Sequence, residues 1–226
     1  MLEYTMARYK KGFDSAHATT QLIKADKSFR PWIKRIGVLD HSAGWKQSFD
    51  VTDALARAIL YQQLSGKAAA TIVARVELAI ANTRIHNAAL KSVSDVQLRA
   101  CGVSGNKVLA LRDLARREAA GEIPQARQLQ YLSNDQIIEM LVPTRGIGRW
   151  TVEMMLMFRL GRHDVLPIDD LGIRKGAQIL DQLDVMPSPK ALALRGQAWS
   201  PQQTMASFYL WRIADFSKES VKRSQD

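Results

Sequence analysis

The sequence predicts an all-α fold of about ten helices. Apolar residues recur at the spacing of three and four that gives a helix one buried face. Ser94 with Gln97, and Ser133 with Gln136, have the Ser-x-x-Gln form of a capping box, which marks a helix start. We find no segment with the alternating pattern of a strand, and no linker long enough to separate independent domains.

The first half of the chain contains four segments with helical patterns. Residues 14–25 carry the first, and residues 31–36 form a short second helix with Pro31 at its first position. Residues 52–63 form the third. An abrupt break follows, and Ser65 caps the fourth helix directly after it.

Besides the helix that starts at Ser94, the middle of the chain predicts three more helices. Ser104 caps one over residues 107–119. The next begins near Asn134, and Pro143 ends or tightens it because proline lacks a backbone N–H. Residues 150–160 form the third, which is rich in methionine and suited to filling a core.

The last quarter of the chain adds three helices. A loop leads to a helix over residues 170–183. In Ser188-Pro189 and in Ser200-Pro201 a capping serine precedes a proline. Proline is favoured at the first position of a helix, so each pair predicts a helix start.

Charge and cysteine usage limit the classes of function. The chain has 226 residues, with 32 Lys and Arg against 22 Asp and Glu, a formal net charge of +10 and a pI near 9.9. Such an excess is typical of proteins that bind a polyanion. The single cysteine, Cys101, excludes an intrachain disulfide and an iron–sulfur cluster held by several thiolates of this chain.

The sequence also argues against a zinc site and a membrane protein. The four histidines, His17, His41, His86 and His163, lack metal-ligand spacing. No apolar run reaches the roughly 18 residues of a membrane span, and the N-terminus lacks the apolar core of a signal peptide. We therefore expect an intracellular protein that does not contact a membrane.

A glycine turn between two predicted helices is the first candidate site. Gly146 and Gly148 flank Ile147, so the backbone can turn tightly while the isoleucine anchors the turn in the core. The amides at the start of the next helix then have no partner within the helix, and such amides bind phosphate. A turn of this kind between two packed helices is also common without any ligand.

An acidic pair, Asp169 and Asp170, precedes the helix over 170–183. At least one of them must lie near the N-terminus of that helix, where a negative charge is favoured. Capping contributes about 1 kcal/mol and explains one aspartate but not both. The other is a candidate for a fixed negative charge or a base.

Several ordered motifs resemble the helix-hairpin-helix (HhH-GPD) DNA glycosylases, most closely the 3-methyladenine DNA glycosylase II branch. In chain order the motifs are Ala58-Ile-Leu-Tyr-Gln-Gln-Leu-Ser-Gly-Lys-Ala-Ala69, Cys101-Gly-Val-Ser-Gly-Asn-Lys107, Gly146-Ile-Gly-Arg-Trp-Thr151, the aspartate that opens a helix, and Trp199-Ser-Pro201 with Trp211. The resemblance covers residues 49–211 and implies one HhH-GPD unit of two interleaved helical lobes. One lobe is expected over about 50–160 with the hairpin at 134–160, and the other over 1–49 plus 165–226.

The resemblance implies a monofunctional enzyme. The family's catalytic aspartate is the last one before the helix, which corresponds to Asp170, so Asp169 is expected to be the cap. Bifunctional relatives carry a Schiff-base lysine where this chain has Trp150. The implied reaction is excision of alkylated purines, of the 3-methyladenine and 7-methylguanine type, leaving an abasic site without strand cleavage. No cofactor is required for that chemistry.

The resemblance also implies the contacts to damaged double-stranded DNA, bound by a monomer. A residue must fill the gap left by the flipped nucleotide, and the family's wedge position corresponds to Gln63, with Leu64 beside it. The hairpin is expected to hold a backbone phosphate through its amides. The expected DNA-binding residues are Gln63, Leu64, Ser65, Gly66, Gly146, Gly148, Arg149 and Thr151.

The base pocket and a cation site depart from the family pattern. A cationic base is attracted to an aromatic face, and Trp150, with Met154 and Leu171, is expected to line the pocket. Met154, Leu171 and Gln202 stand where relatives often carry aromatics, so the breadth of the substrate range stays open. The backbone carbonyls of Val142, Thr144 and Ile147 are expected to hold a Na or K ion, although Arg145 replaces the usual proline.

Two alternative functions remain open at this point. A glycosylase for neutral lesions such as ethenoadenine or hypoxanthine would need stronger activation of the leaving group, and no second acid is apparent near the pocket. A non-catalytic DNA-binding module would need only the glycine turn and the basic surface, and would have no use for Asp170.

Overall fold

The structure, a computed structural model, describes residues 8–223, with side chains described up to residue 217. Within these residues it contains α-helices and one short 3₁₀ turn, and no strand. The helices are α1 (Ser15–Ala25), α2 (Phe29–Ile36), α3 (Ser42–Lys46), α4 (Val51–Tyr61), α5 (Gly66–Ala79), α6 (Asn87–Lys91), α7 (Asp95–Ala100), α8 (Gly105–Ala119), α9 (Ala126–Leu129), α10 (Asn134–Leu141), α11 (Arg149–Phe158), α12 (Leu171–Leu180), α13 (Pro189–Gly196) and α14 (Gln203–Arg223). The predicted all-α class is confirmed.

The described residues contain fourteen α-helices, more than the ten or so predicted. The additional ones are short. α3, α6 and α9 have only four or five residues each, too few to show a helical period in the sequence. Within the described residues, no helix is both long and apolar enough to cross a membrane.

The described chain divides into two compact units, and the division falls inside α11. Residues 8–9 and 48–152 form the first unit, and residues 10–47 and 153–223 form the second. The lobes predicted from the sequence had their boundary in the loop after residue 160 and included residues 1–7 and 224–226, which lie outside the described residues.

The first unit is built around α4 and α8. α4 buries one face, including Leu55, Ile59 and Leu60, and packs on α8, which buries Leu111 and Leu114. Burial of such a side chain stabilises a fold by about 1.5–3 kcal/mol. α6 and α7 pack on the same helix, so α8 is the central support of this unit.

The second unit is built around α14, which packs on α1, α2 and α12. Its core includes Phe29, Trp199 and Tyr209, all almost fully buried. α12 approaches α14 closely at Gly176, because a Cβ atom there would overlap the backbone carbonyl of Leu210. A glycine therefore sets the packing of these two helices.

The two capping boxes are confirmed at α7 and α10, with Gln97 and Gln136 as the reciprocal residues. Ser65 also caps α5, since its hydroxyl accepts a hydrogen bond from the N–H of Ala68 at 3.3 Å. Ser104 has the backbone of an N-cap before α8, which starts two residues earlier than predicted, but its hydroxyl makes no capping bond.

Two proline predictions were wrong. α2 begins at Phe29, so Pro31 is its third residue, where an N–H would still have no partner within the helix. Ser188-Pro189 starts α13 as predicted, but Ser200-Pro201 does not start α14, which begins at Gln203. The hydroxyl of Ser200 donates to the carboxylate of Asp164 at 2.8 Å instead of capping the helix.

Candidate functional site

The glycine turn joins α10 to α11, and its two glycines differ. Gly146 has φ +79°, a left-handed conformation that favours glycine, and a Cβ atom there would lie 3.1 Å from the Cβ of Ala110. Gly148 has a conformation open to other residues, and no described heavy atom beyond its neighbours lies within 4 Å of its Cβ position. Ile147 between them is 3% exposed and anchors the turn as predicted.

The start of α11 presents backbone amides at the surface. Gly148, Arg149 and Trp150 are exposed, and the carbonyl of Gly148 accepts the N–H groups of Thr151 and Val152. The first N–H groups of a helix have no partner within that helix, and the helix dipole adds positive potential there. The turn can therefore bind an anion such as a phosphate.

The second predicted DNA contact is the turn between α4 and α5. Gln63 has φ +57°, an uncommon conformation for a residue with a side chain. The side chains of Gln63 and Leu64 are exposed, while Ser65 caps the following helix. The side-chain amide of Gln62 donates through Nε2 to the carbonyl of Gly146 at 2.8 Å. The structure thus brings this turn and the glycine turn together in the first unit.

Asp170 is the N-cap of α12 in the second unit. Its Oδ1 accepts the backbone N–H of Ile173 at 2.8 Å and the indole N–H of Trp211 at 2.8 Å. Asp169 is exposed. The expectation that Asp169 would be the cap is therefore wrong, since the residue expected to be catalytic is itself the cap.

The close approach of Trp211 to Asp170 depends on a glycine. A Cβ atom at Gly172 would lie 2.8 Å from Cδ1 of the indole and 3.1 Å from Oδ1 of the carboxylate. Neither of the two N–H donors is a cation. They fix the orientation of one carboxylate oxygen, and a carboxylate held in this way can stabilise a positive charge that develops beside it.

The three predicted pocket residues are divided between the units. Trp150 belongs to the first unit and is 48% exposed. Met154 and Leu171 belong to the second, where Met154 is half-buried and Leu171 is 65% exposed. Trp150 and Leu171 are therefore exposed to solvent and are not core residues. Their role in a base pocket stays a prediction.

Thr144 is one of the three residues predicted to hold a monovalent cation, and that role stays a prediction. The carbonyl of Thr144 accepts the N–H of Ile147 at 3.0 Å and retains a second lone pair. The Thr144 hydroxyl is buried and has no hydrogen-bond partner, so an unsatisfied polar atom lies at this position. Among the side chains described, those of residues 8–217, no group of three or more His, Cys, Asp or Glu could hold a metal ion.

The contacts of three residues at this site were not predicted from the sequence, although all three stand in motifs quoted above. Trp211 donates to Asp170, the side chain of Gln62 donates to the carbonyl of Gly146, and Lys107 donates to the carbonyl of Gln62. A signal for Lys107 does exist, because a cation in the first turn of a helix is unfavourable unless it has a partner elsewhere. Trp211 lies 41 residues from Asp170, and local patterns cannot reveal that pairing.

Comparison with known proteins identifies the family. Residues 56–202 match the model of the HhH-GPD superfamily base excision DNA repair proteins. DNA-3-methyladenine glycosylase 1 of Schizosaccharomyces pombe is 33% identical over 207 residues, covering 89% of this chain and 90% of the relative.

Two solved structures have a similar fold. The DNA-3-methyladenine glycosidase of Bacillus halodurans superposes with a TM-score of 0.81 at 31% identity, covering 94% of this chain and 95% of that one. A 3-methyladenine DNA glycosylase of S. pombe, in complex with abasic DNA, gives a TM-score of 0.73 at 34% identity, with 87% and 95% covered. The chain therefore belongs to the HhH-GPD superfamily of base excision DNA repair proteins.

Proposed function

We propose that this protein is a monofunctional DNA glycosylase that excises alkylated purines from duplex DNA and leaves an abasic site. The observation that carries the proposal is the carboxylate of Asp170, oriented at the start of α12 by Trp211 and Ile173. A non-catalytic DNA-binding module has no need of such a group. The relatives named for 3-methyladenine excision support the substrate class.

The chemistry needs few protein groups. A purine alkylated on a ring nitrogen carries a positive charge, so it leaves readily and takes the electrons of its bond to the sugar. The sugar develops oxocarbenium character, which the negative charge of Asp170 stabilises. A water molecule then bonds to the sugar carbon, and Asp170 orients that water and accepts its proton.

Strand cleavage is not part of the proposed reaction. Bifunctional relatives use a lysine amine, as a Schiff base, at the position of Trp150 in this chain. An indole has no nucleophilic amine, so it cannot form that intermediate. We expect Trp150 instead to contact the flipped base.

The first unit supplies the grip on DNA. The amides near Gly146 and Gly148 bind a backbone phosphate, with Arg149 and Thr151 beside them. Gln63, with Leu64 beside it, fills the gap left by the flipped nucleotide, and Ser65 and Gly66 face the minor groove. The net charge of +10 adds affinity that does not depend on sequence and falls with salt. Each chain carries all of these groups, which supports a monomer as the working form.

The hairpin carbonyls suit a hard monovalent cation, because backbone oxygens are the ligands that such ions prefer. Val142, Thr144 and Ile147 would hold it, and the unsatisfied hydroxyl of Thr144 is consistent with a polar ligand there. The cation would stiffen the hairpin. It would take no part in breaking the bond to the base.

A base-release assay tests the proposal. Duplexes containing 3-methyladenine, 7-methylguanine, ethenoadenine or hypoxanthine are incubated with excess wild-type protein and with Asp170→Asn. We expect release of the two alkylated purines, and a rate about 10²–10³ lower for Asp170→Asn, the range typical for loss of one electrostatic group. Release at the wild-type rate by a folded Asp170→Asn variant would overturn the mechanism. Absence of release of any base, with DNA binding intact, would favour a binding module.

A further inference from the structure

Helix α8 contacts both of the turns that are proposed to bind DNA. Lys107 lies in its first turn, and Ala110 and Asp113 follow at intervals of three residues, so the three lie on neighbouring parts of its surface. Each of them touches either the α4–α5 turn or the hairpin. All of these contacts lie within the first unit.

Lys107 holds the end of α4. Its ammonium donates to the carbonyls of Leu60 and Gln62, both at 2.8 Å. The last carbonyls of a helix lack partners within the helix and carry its negative dipole, so they suit a cation. Partial burial lowers the pKa of Lys107. Gln63, which has φ +57°, directly follows Gln62 in the chain.

The hairpin is held from the same helix. Asp113 Oδ2 accepts the backbone N–H of Arg145 at 2.9 Å, and Ala110 packs beneath Gly146. The side-chain amide of Gln62 joins the two turns directly, because its Nε2 donates to the Gly146 carbonyl at 2.8 Å. The α4–α5 turn, the hairpin and α8 therefore each contact the other two.

We propose that Lys107 and Gln62 are positioning residues that hold the turn carrying Gln63 in register with the hairpin. Phosphate binding at the hairpin then places Gln63 at the gap left by the flipped nucleotide. The proposal rests on the proposed function, since it takes Gln63 as the wedge. It also removes Lys107 from the set of lysines that contact DNA phosphates, because its ammonium is directed at carbonyls of its own chain.

A double-mutant cycle tests the proposal. Lys107→Met is measured alone and together with Gln63→Ala, by affinity for an abasic duplex and by the fluorescence of 2-aminopurine placed opposite the lesion. We expect Lys107→Met to weaken binding about tenfold and to reduce the fluorescence change in the wild-type background. In the Gln63→Ala background it should weaken binding by less than about twofold, because interacting residues are not additive.

Charge loss is controlled by Lys91→Met, which removes an exposed lysine at the end of α6. The slope of log affinity against log salt should be unchanged by Lys107→Met, whereas loss of a phosphate contact lowers it by about one. Gln62→Leu removes only the bond to the hairpin and should be non-additive with Gln63→Ala in the same way. Gln62→Leu therefore tests the proposal even if Lys107→Met does not fold.

Equal losses in both backgrounds, or a reduced salt slope, would overturn the positioning role. Unchanged binding by folded Lys107→Met and Gln62→Leu would do so as well. These outcomes are separate from failure of the proposed function. If wild-type protein releases no base yet binds abasic DNA with the non-additive pattern, the glycosylase proposal fails and the positioning role stands.

Discussion

The indole N–H of Trp211 donates to Oδ1 of Asp170 at 2.8 Å, across 41 residues of sequence. The same oxygen accepts the N–H of Ile173, so two neutral donors fix one oxygen of the carboxylate. Capping alone would need only the second of these bonds. The first gives Asp170 an orientation that a helix cap does not require, which is the expected design for a group that acts on a substrate.

Trp211→Phe removes this N–H and keeps most of the ring. We expect the single-turnover rate of base release to fall about tenfold or more, since a hydrogen bond to a charged group contributes about 1.5–3 kcal/mol. Affinity for abasic DNA should change little. The control is Trp32→Phe, a half-buried tryptophan on α2. A rate equal to that of Trp32→Phe would show that the indole does not orient Asp170.

Gly172→Ala introduces a Cβ atom 2.8 Å from the indole of Trp211 and 3.1 Å from the Asp170 carboxylate. The indole must move, so we expect a lower rate of base release and a loss of about 1–3 kcal/mol in the free energy of unfolding. Gly105→Ala is the matched control, because only the flexible end of Arg99 lies near its Cβ position. Urea denaturation and base release measure both effects. Equal stability of the two variants would contradict the predicted clash.

The sequence was informative wherever structure is decided locally. The capping boxes at Ser94 and Ser133 depend on residues three positions apart, and both are confirmed. The all-α class follows from a period that each helix repeats. Ser188-Pro189 and Ser200-Pro201 show the limit of such patterns. The second pair does not start a helix, because the Ser200 hydroxyl and the N–H of Gln203 both donate to the carboxylate of Asp164. These two bonds span 36 and 39 residues of sequence.

The candidate site was predictable only in part, for the same reason. The glycine turn and the acidic pair stand out as local patterns, but the sequence does not reveal which aspartate adopts the extended backbone of an N-cap. That choice places the carboxylate of Asp170, rather than that of Asp169, beside Trp211. The contacts of Lys107 span 45 to 47 residues, so they too appear only in the folded chain.

Gly146→Ala and Gly148→Ala separate two roles of the hairpin. Gly146 has φ +79° and faces Ala110, so alanine there should lower the free energy of unfolding by about 1–2 kcal/mol. Alanine at Gly148 has open space and should change it by less than about 0.5 kcal/mol. Urea denaturation compares the two. If both variants lose the same stability, the left-handed conformation at Gly146 is not what the turn requires.

Asp26 gives the second unit a pH-dependent stability. Burial alone would raise the pKa of Asp26, but hydrogen bonds from Ser28, Trp199 and Arg195 outweigh it and lower the pKa from 3.8 to about 2. A carboxyl whose pKa is lowered by folding stabilises the protein above its unfolded pKa. That contribution is lost as the pH falls from 3.8 to about 2.

Asp26→Asn should therefore be less stable than wild type by about 1–3 kcal/mol near neutral pH, the cost of a lost bond to a charged group. The difference should shrink as the pH falls through the window between the two pKa values. Urea denaturation over a pH series measures it, with Asp184→Asn, an exposed aspartate, as the control. A difference that stays constant down to the acid limit would show that the carboxylate charge is not the cause.

Gln63 combines an exposed side chain with φ +57°, a conformation that costs a residue other than glycine about 1–2 kcal/mol. Gln63→Gly and Gln63→Ala both remove the side chain, but only glycine relieves this strain. Glycine also loses more conformational entropy on folding, which reduces the gain. We therefore expect the glycine variant to be more stable than the alanine variant by up to about 1 kcal/mol.

Both should bind abasic DNA more weakly than wild type, because the gap is left unfilled. Wild-type affinity in either variant would reject Gln63 as the wedge, and equal stability of the two variants would reject the strain. If Gln63→Gly is more stable than Gln63→Ala and still binds abasic DNA less well than wild type, the strained turn is kept for function at the expense of stability.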